Sequence, residues 1–148
     1  MRLFSDEFYD GQLERTLAAA YADAADLGEA FAVARRIHRP TPDRWYKAWS
    51  ERARAVTSQA DDLARSGQRD SARGAYLRAS EYHRQSYFFL RHDLRDPRLL
   101  AAYHAHVESF QSATALLNHP VETAVIPYSN THLKGYYFAP DTSGEPRP

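Results

Sequence analysis

Seven histidines and no cysteine bound the chemistry that this chain of 148 residues could carry. His104, His106 and Glu108 form the densest group of metal-ligating types. On a helix, positions 104 and 106 point about 200° apart, whereas a helical metal pair needs a spacing of four, as in H-E-x-x-H. That spacing suits a solvated helix face, so no metal ligand and no cofactor is assigned. The lack of cysteine removes disulfides, thiolate nucleophiles and cysteine-based zinc sites together. Serine, histidine and aspartate are present, but no G-x-S-x-G sets a serine on the strained strand-to-helix turn that a hydrolytic nucleophile needs. No residue is nominated as catalytic. His38, His83 and His92 stand singly among arginines and carboxylates and are expected in surface pairs or at helix ends. The charges around them, Arg73, Arg78, Glu81, Arg84, Arg91, Asp93 and Arg95, read as a solvated face with weak local ion pairs. The aromatic group Tyr82, Tyr87, Phe88 and Phe89 is different. It spans a wider arc than the roughly 100° of one core-facing stripe, so part of it must meet something else.

Composition narrows the partners. With 43% hydrophobic and 13% aromatic residues the chain can fold around a core. Acids and bases balance at 19 each, which leaves no net field for nucleic acid or an anionic membrane. Residues 1–11 contain Asp6, Glu7 and Asp10 without an apolar run, and no stretch approaches the roughly 20 apolar residues of a membrane span. The expectation is a soluble, cytoplasmic chain. Trp45 and Trp49, one helical turn apart, are expected in the core.

These residues must be positioned by helices first and strands last. An opening helix over about 5–20 carries Phe8, Leu13 and Leu17. Asp26 with Glu29 has the form of a capping box ahead of Leu27, Phe31, Val33, Ala34 and Ile37. Thr41-Pro42 starts a long helix, whose stripe of Trp45, Trp49, Ala53, Val56, Ala60 and Leu63 runs until Gly67 supplies a left-handed stop. Asp70 is the expected cap of an antiparallel partner with Ala72, Ala75, Tyr76, Ala79, Tyr82, Tyr87 and Leu90 on its buried face. Asp96-Pro97 opens a last helix, with Leu100, Tyr103, Val107, Phe110, Thr114 and Leu117 near a heptad seam. From Val121 the period changes to two, Ser129-Asn130-Thr131 is turn material, and Leu133 to Ala139 reads as a second strand. The last residues, 141–148, are polar and look like a linker or tail. A lone hairpin is marginal in water and leaves both edges unpaired, so further strands are expected beyond residue 148.

The run Ala72-Arg73-Gly74-Ala75-Tyr76-Leu77-Arg78-Ala79-Ser80-Glu81-Tyr82-His83-Arg84, then Tyr87-Phe88-Phe89-Leu90, resembles the cap of α/β-hydrolases related to 2,6-dihydroxy-pseudo-oxynicotine hydrolase and the FrsA-like esterases. Residues 120–128 and 133–140 are similar to the opening strands of that hydrolase domain. With Asp23 to Ile37 and Trp45 to Trp49, the resemblance spans almost the whole chain. It implies a mostly α fold: a cap bundle of about five helices over 1–119, with antiparallel long helices. A hairpin over 120–140 would open an incomplete α/β-hydrolase sheet. It further implies a hydrolase domain in cis as partner and admits a homodimer. Tyr82, Tyr87, Phe88 and Phe89 become candidates for lining the substrate pocket or packing against that domain. The chain alone, without nucleophile elbow, oxyanion loop or triad, is expected to be inactive. A second reading is a stand-alone tetratricopeptide-like interaction module, suggested by the spacing from Gly67 to Ala79. It lacks the self-similar period of roughly 34 residues that such repeats need.

Overall fold

The structure is a computed structural model and describes residues 3–119 and 121–138. Five α-helices precede two strands: α1 Glu7–Ala18, α2 Leu27–Arg36, α3 Pro42–Arg65, α4 Arg69–Tyr87, α5 Pro97–Ala115, β1 Val121–Tyr128 and β2 Thr131–Phe138. Short 3-10 turns, Ala19–Ala22 and Phe88–His92, prolong α1 and α4. The chain is thus mostly helical with a C-terminal antiparallel hairpin, as its sequence indicates. Pro120, the strand end at Ala139 and the tail over 141–148 lie outside the described residues. Among the described residues, no helix is long and apolar enough to cross a membrane.

The punctuation of the long helix pair is chemical. Thr41 Oγ1 accepts from the Arg44 N–H at 3.3 Å, with Pro42 in the first turn. At the other end Gly67 takes φ +76°, and the N–H groups of Gly67 and Gln68 donate to Ala64 O and Leu63 O, each at 3.0 Å. This is a Schellman closure, and it returns the chain at once. α4 therefore starts at Arg69 rather than at a cap on Asp70. Gln68 holds the cap position without a side-chain capping bond, and its carbonyl accepts from Ala72 at 2.8 Å.

α3 and α4 run antiparallel and close. Ala72, Ala75 and Ala79 face Ala53, Val56 and Ala60, so little side-chain bulk separates the two backbones. Trp45 and Trp49 are fully buried, and the Trp45 indole N–H donates to Gln85 O at 2.9 Å. α1 closes the same core with Tyr9 and Leu13. Its Phe8, expected on the buried face, is instead 63% exposed. The Asp10 carboxylate turns inward and accepts from the backbone of Leu3 and Phe4 at 2.8 and 3.0 Å.

The cap of α2 is half a capping box. Asp26 Oδ1 accepts from the Glu29 N–H at 2.8 Å, but the Asp26 N–H donates to the Tyr82 hydroxyl at 2.9 Å. The Glu29 carboxylate is drawn away to Arg52 at 2.6 Å and Arg78 at 3.5 Å, because guanidinium charges outbid one amide. Arg78 is thus not on a solvated face. Replacing Tyr82 by Phe is expected to leave a donor unpaired, to cost about 1–2 kcal/mol and to lower Tm by several degrees in a thermal melt.

α5 departs from its sequence pattern. Ala102, Ser109 and Ala113 are buried, whereas Leu100 and Tyr103 of the expected heptad seam are 57% and 47% exposed. Polar bonds set the rotation. His106 Nδ1 donates to Ser80 O at 3.0 Å, and the Arg69 guanidinium donates to Leu116 O and Leu117 O at 2.9 Å each. The displaced seam turns partly to the hairpin, where Phe110 packs edge-on to Tyr136 with ring centroids 5.1 Å apart. Gln111 adds a bond to the Tyr136 hydroxyl at 3.1 Å.

β1 and β2 pair from Tyr128 with Thr131 to Val121 with Phe138. β2 thus begins two pairs earlier than the expected Leu133, because the turn needs only Ser129 and Asn130, with Ser129 at φ 48°. The pleat puts Val121, Thr123 and Val125 on the face of Tyr136, toward α5, and Glu122, Ala124 and Ile126 on the other. Among the described residues these two strands are the whole sheet.

Candidate functional site

Three features of the molecule could serve a function: an aromatic end, a polar seam and an open ribbon. The aromatic end forms where α4 tightens into its 3-10 turn. Tyr82 is fully buried against Trp49, with ring centroids at 5.5 Å, and its hydroxyl is engaged by Asp26. Burial pushes that phenol above its ordinary pKa. Phe89 stacks on Tyr9 at 3.9 Å and meets Trp45 and Phe8 edge-on at 5.2 and 5.4 Å. Phe88 packs on Phe8 at 5.9 Å, and the Arg91 guanidinium lies 3.9 Å over its ring. Tyr87 points the other way, to Tyr103 at 6.1 Å and His106 at 6.2 Å. The wide arc read from the sequence is therefore divided among the core, α1 and α5. Tyr87, Phe88 and Phe89 keep partial exposure; Tyr82 keeps none.

The polar seam lies along α4, where it meets α3 on one side and α5 on the other. His83 is not a surface histidine: it is buried at 6% exposure, with Nε2 3.3 Å from Thr57 Oγ1. Burial first, then Arg54 and His106, pull its pKa down to about 4. Ser80 Oγ stands 2.8 Å from His106 Nδ1, the contact of a serine activated by a base. The proton positions forbid that role. Ser80 Oγ donates to His106 O at 3.0 Å, while Nδ1 must donate to Ser80 O, which can only accept. The imidazole nitrogen beside the serine already holds a proton, so it cannot take another from the hydroxyl. Sequence reasoning missed this pair, which is separated by a whole helix and has no local signature. Beside it Arg84 binds Glu81 through two bonds of 2.7 and 2.6 Å, and Thr16 donates to Glu81 at 2.9 Å. These charges are half-buried rather than solvated. His104 is exposed and turned away from His106. Among the described residues no group of three or more His, Asp or Glu is placed to hold a metal ion.

The open ribbon carries its apolar side chains outward. Ile126, Tyr128, Leu133 and Tyr137, on the face away from α5, are all at least half exposed. Its inner face and the end of α5 enclose a cleft of about 410 Å³ lined by Gln111, Thr114, Leu117, His119, Thr123 and Tyr136.

No family model matches the chain. Among curated proteins, the 20-hydroxy-prefusarin hydrolase of Gibberella moniliformis is 34% identical over 94% of this chain and 33% of its own length. The α/β-hydrolase xenA of Xenoacremonium sinensis is 35% identical over 95% of this chain and 33% of its own. The hydrolase acrC of Aspergillus aculeatus is 38% identical over 86% and 30%. This chain is similar in sequence to proteins named as hydrolases and α/β-hydrolases. It spans about a third of the length of the curated relatives it matches. A serine nucleophile of an α/β-hydrolase sits on an exposed strand-to-helix turn. Ser80, in mid-helix and 4% exposed, is not of that kind.

Proposed function

We propose that residues 1–119 are the helical cap of an α/β-hydrolase and that the hairpin over 120–140 opens its sheet. The cap shapes access to an active site carried in cis by a hydrolase domain outside this chain. The observation that carries this reading is the ribbon: its outer face is apolar and exposed, and its margins meet no third strand among the described residues. The similarity to hydrolases roughly three times as long supports a partner domain for it. Pro127 adds a direction. In a hairpin with a two-residue loop the closing pair, Tyr128 and Thr131, exchanges its backbone bonds, and pairs alternate from there, so the Pro127 nitrogen faces outward and offers no donor. β1 is thus suited to an edge, and β2 is the margin on which the sheet grows.

Of the four aromatic candidates, Tyr87, Phe88 and Phe89 keep surface for a substrate or for the hydrolase domain, and Tyr82 supports them from inside. Hydrolysis by such an enzyme would act on an ester, an amide or a ketone C–C bond. Two tests apply. The coding frame past residue 148 is expected to continue into a strand, a glycine-rich loop and a G-x-S-x-G; a frame without them contradicts the reading. In the full-length enzyme, Tyr87→Ala and Phe88→Ala are expected to raise KM several-fold with little change in kcat, as for groups that bind substrate and transition state alike. Unchanged kinetics in both variants would remove these residues from the pocket.

A further inference from the structure

His83 has a ring nitrogen that neither the fold nor the cap reading uses. Thr57 Oγ1 donates to Ala53 O at 2.9 Å, so toward His83 Nε2, 3.3 Å away, it can only accept. The ring proton therefore sits on Nε2, and Nδ1 carries a lone pair. Among the described residues no group donates to Nδ1, yet Nδ1 is not sealed from solvent. The ring as a whole is only 6% exposed, so Nδ1 opens on the groove of about 220 Å³ that the ring lines between α3, α4 and α5.

The groove is rich in acceptors and poor in donors. Asp61 comes to it from α3, His83 from α4 and Glu108 from α5, and no lysine or arginine is among its lining residues. Asp61 Oδ1 accepts from the Tyr76 hydroxyl at 2.6 Å, which leaves Oδ2 open. Glu108 is exposed and has no partner among the described residues. The Ser109 hydroxyl, on a residue only 4% exposed, lines the same groove and has no partner among them either. Arg54 acts on His83 from outside the lining, so one guanidinium offsets two carboxylates and the balance is negative.

That set of acceptors selects its ligand. Among the described residues no three His, Asp or Glu side chains stand close enough together to hold a metal ion, whose bonds are about 2.0–2.6 Å long. N–H donors reach further, to about 2.7–3.2 Å. A guanidinium offers its donors in one plane, whereas the acceptors here arrive from three helices; an ammonium points three N–H groups in different directions. A quaternary cation has no N–H to give. The groove is smaller than the roughly 300 Å³ at which drug-sized pockets begin, and Ala105 gives it an apolar wall for a short chain. We propose that this groove binds a small primary alkylammonium ion, its N–H groups shared among His83 Nδ1 and the carboxylates of Asp61 and Glu108. The site lies wholly within the helices and holds whether or not the cap reading does.

Titration of the intact, nitrogen-15-labelled chain with butylammonium chloride tests it, at about pH 7.5, where even an unperturbed histidine is mostly neutral. Saturable amide shifts are expected in residues 57–61 and 105–112. The Nδ1 resonance of His83 should move upfield, as for a ring nitrogen that begins to accept a hydrogen bond. Tetramethylammonium chloride and sodium chloride at the same ionic strength should produce neither change. Glu108→Gln and Asp61→Asn, both at exposed positions that keep the fold, should each weaken binding by roughly threefold or more. Glu14→Gln, at an exposed carboxylate on α1, should leave it unaltered. Equal shifts with tetramethylammonium, a stationary Nδ1 resonance, or undiminished affinity in both groove variants would each overturn the proposal.

Discussion

Trp45→Ala is expected to unfold the chain, or to leave it with most of its stability gone. The side chain is fully buried and touches Phe4, Tyr9, Trp49 and Phe89 with ring centroids between 5.2 and 5.7 Å. Removing a buried tryptophan costs about 3–5 kcal/mol, a large part of the 5–15 kcal/mol that holds a typical domain together. A milder pair of variants isolates the hydrogen bond from the packing. Trp45→Phe gives up the indole bond to Gln85 O, whereas the Trp49 indole N–H is buried without a partner. Trp45→Phe should therefore be more destabilising than Trp49→Phe by about 1 kcal/mol, measured as the difference in urea unfolding free energy. Equal losses would mean that the Gln85 contact contributes nothing.

The second large effect is an absence of turnover. The purified 148-residue chain should hydrolyse p-nitrophenyl acetate no faster than a heat-killed control. Ser80, the serine in hydrogen-bond contact with an imidazole, directs its proton to a carbonyl and faces a nitrogen that already bears one. A hydrolase needs a serine whose proton has somewhere to go. Turnover that a serine-directed phosphonate abolishes would place a working nucleophile in these residues and overturn the proposal that the chemistry lies outside them.

Much of the scaffold was legible because it rests on local chemistry. Thr41-Pro42, Asp96-Pro97 and Gly67 satisfy or release backbone groups within a turn of themselves, and Trp45 to Ala60 repeat at helical spacing on one face. What failed depends on residues far apart in sequence. Glu29 leaves its capping box for guanidiniums on two other helices. Asp70 is not a cap because the Schellman closure before it starts α4 one residue too early to need one. The heptad seam of α5 is an accurate count of apolar residues assigned to the wrong neighbour: polar bonds from Ser80 and Arg69 rotate the helix, and the larger apolar groups face the ribbon or water. His83 looked like a surface group because its neighbours in sequence are charged, yet its neighbours in space are Thr57 and His106. Of the candidate site, the aromatic residues were visible as an excess over one stripe. Their division among three directions needed α1 and α5 in place.

The cap reading turns on the ribbon being a place where strands are added. Backbone amide exchange in residues 121–138, read together with light scattering, tests that most directly. The N–H groups of His132, Lys134 and Tyr136 face the open margin of β2, so in a monomer they should exchange near intrinsic rates while those of Leu133, Gly135 and Tyr137 are slowed. At higher concentration the same margin should drive self-association. A monodisperse monomer in which both sets are equally protected would show the ribbon already sheltered and would contradict the account.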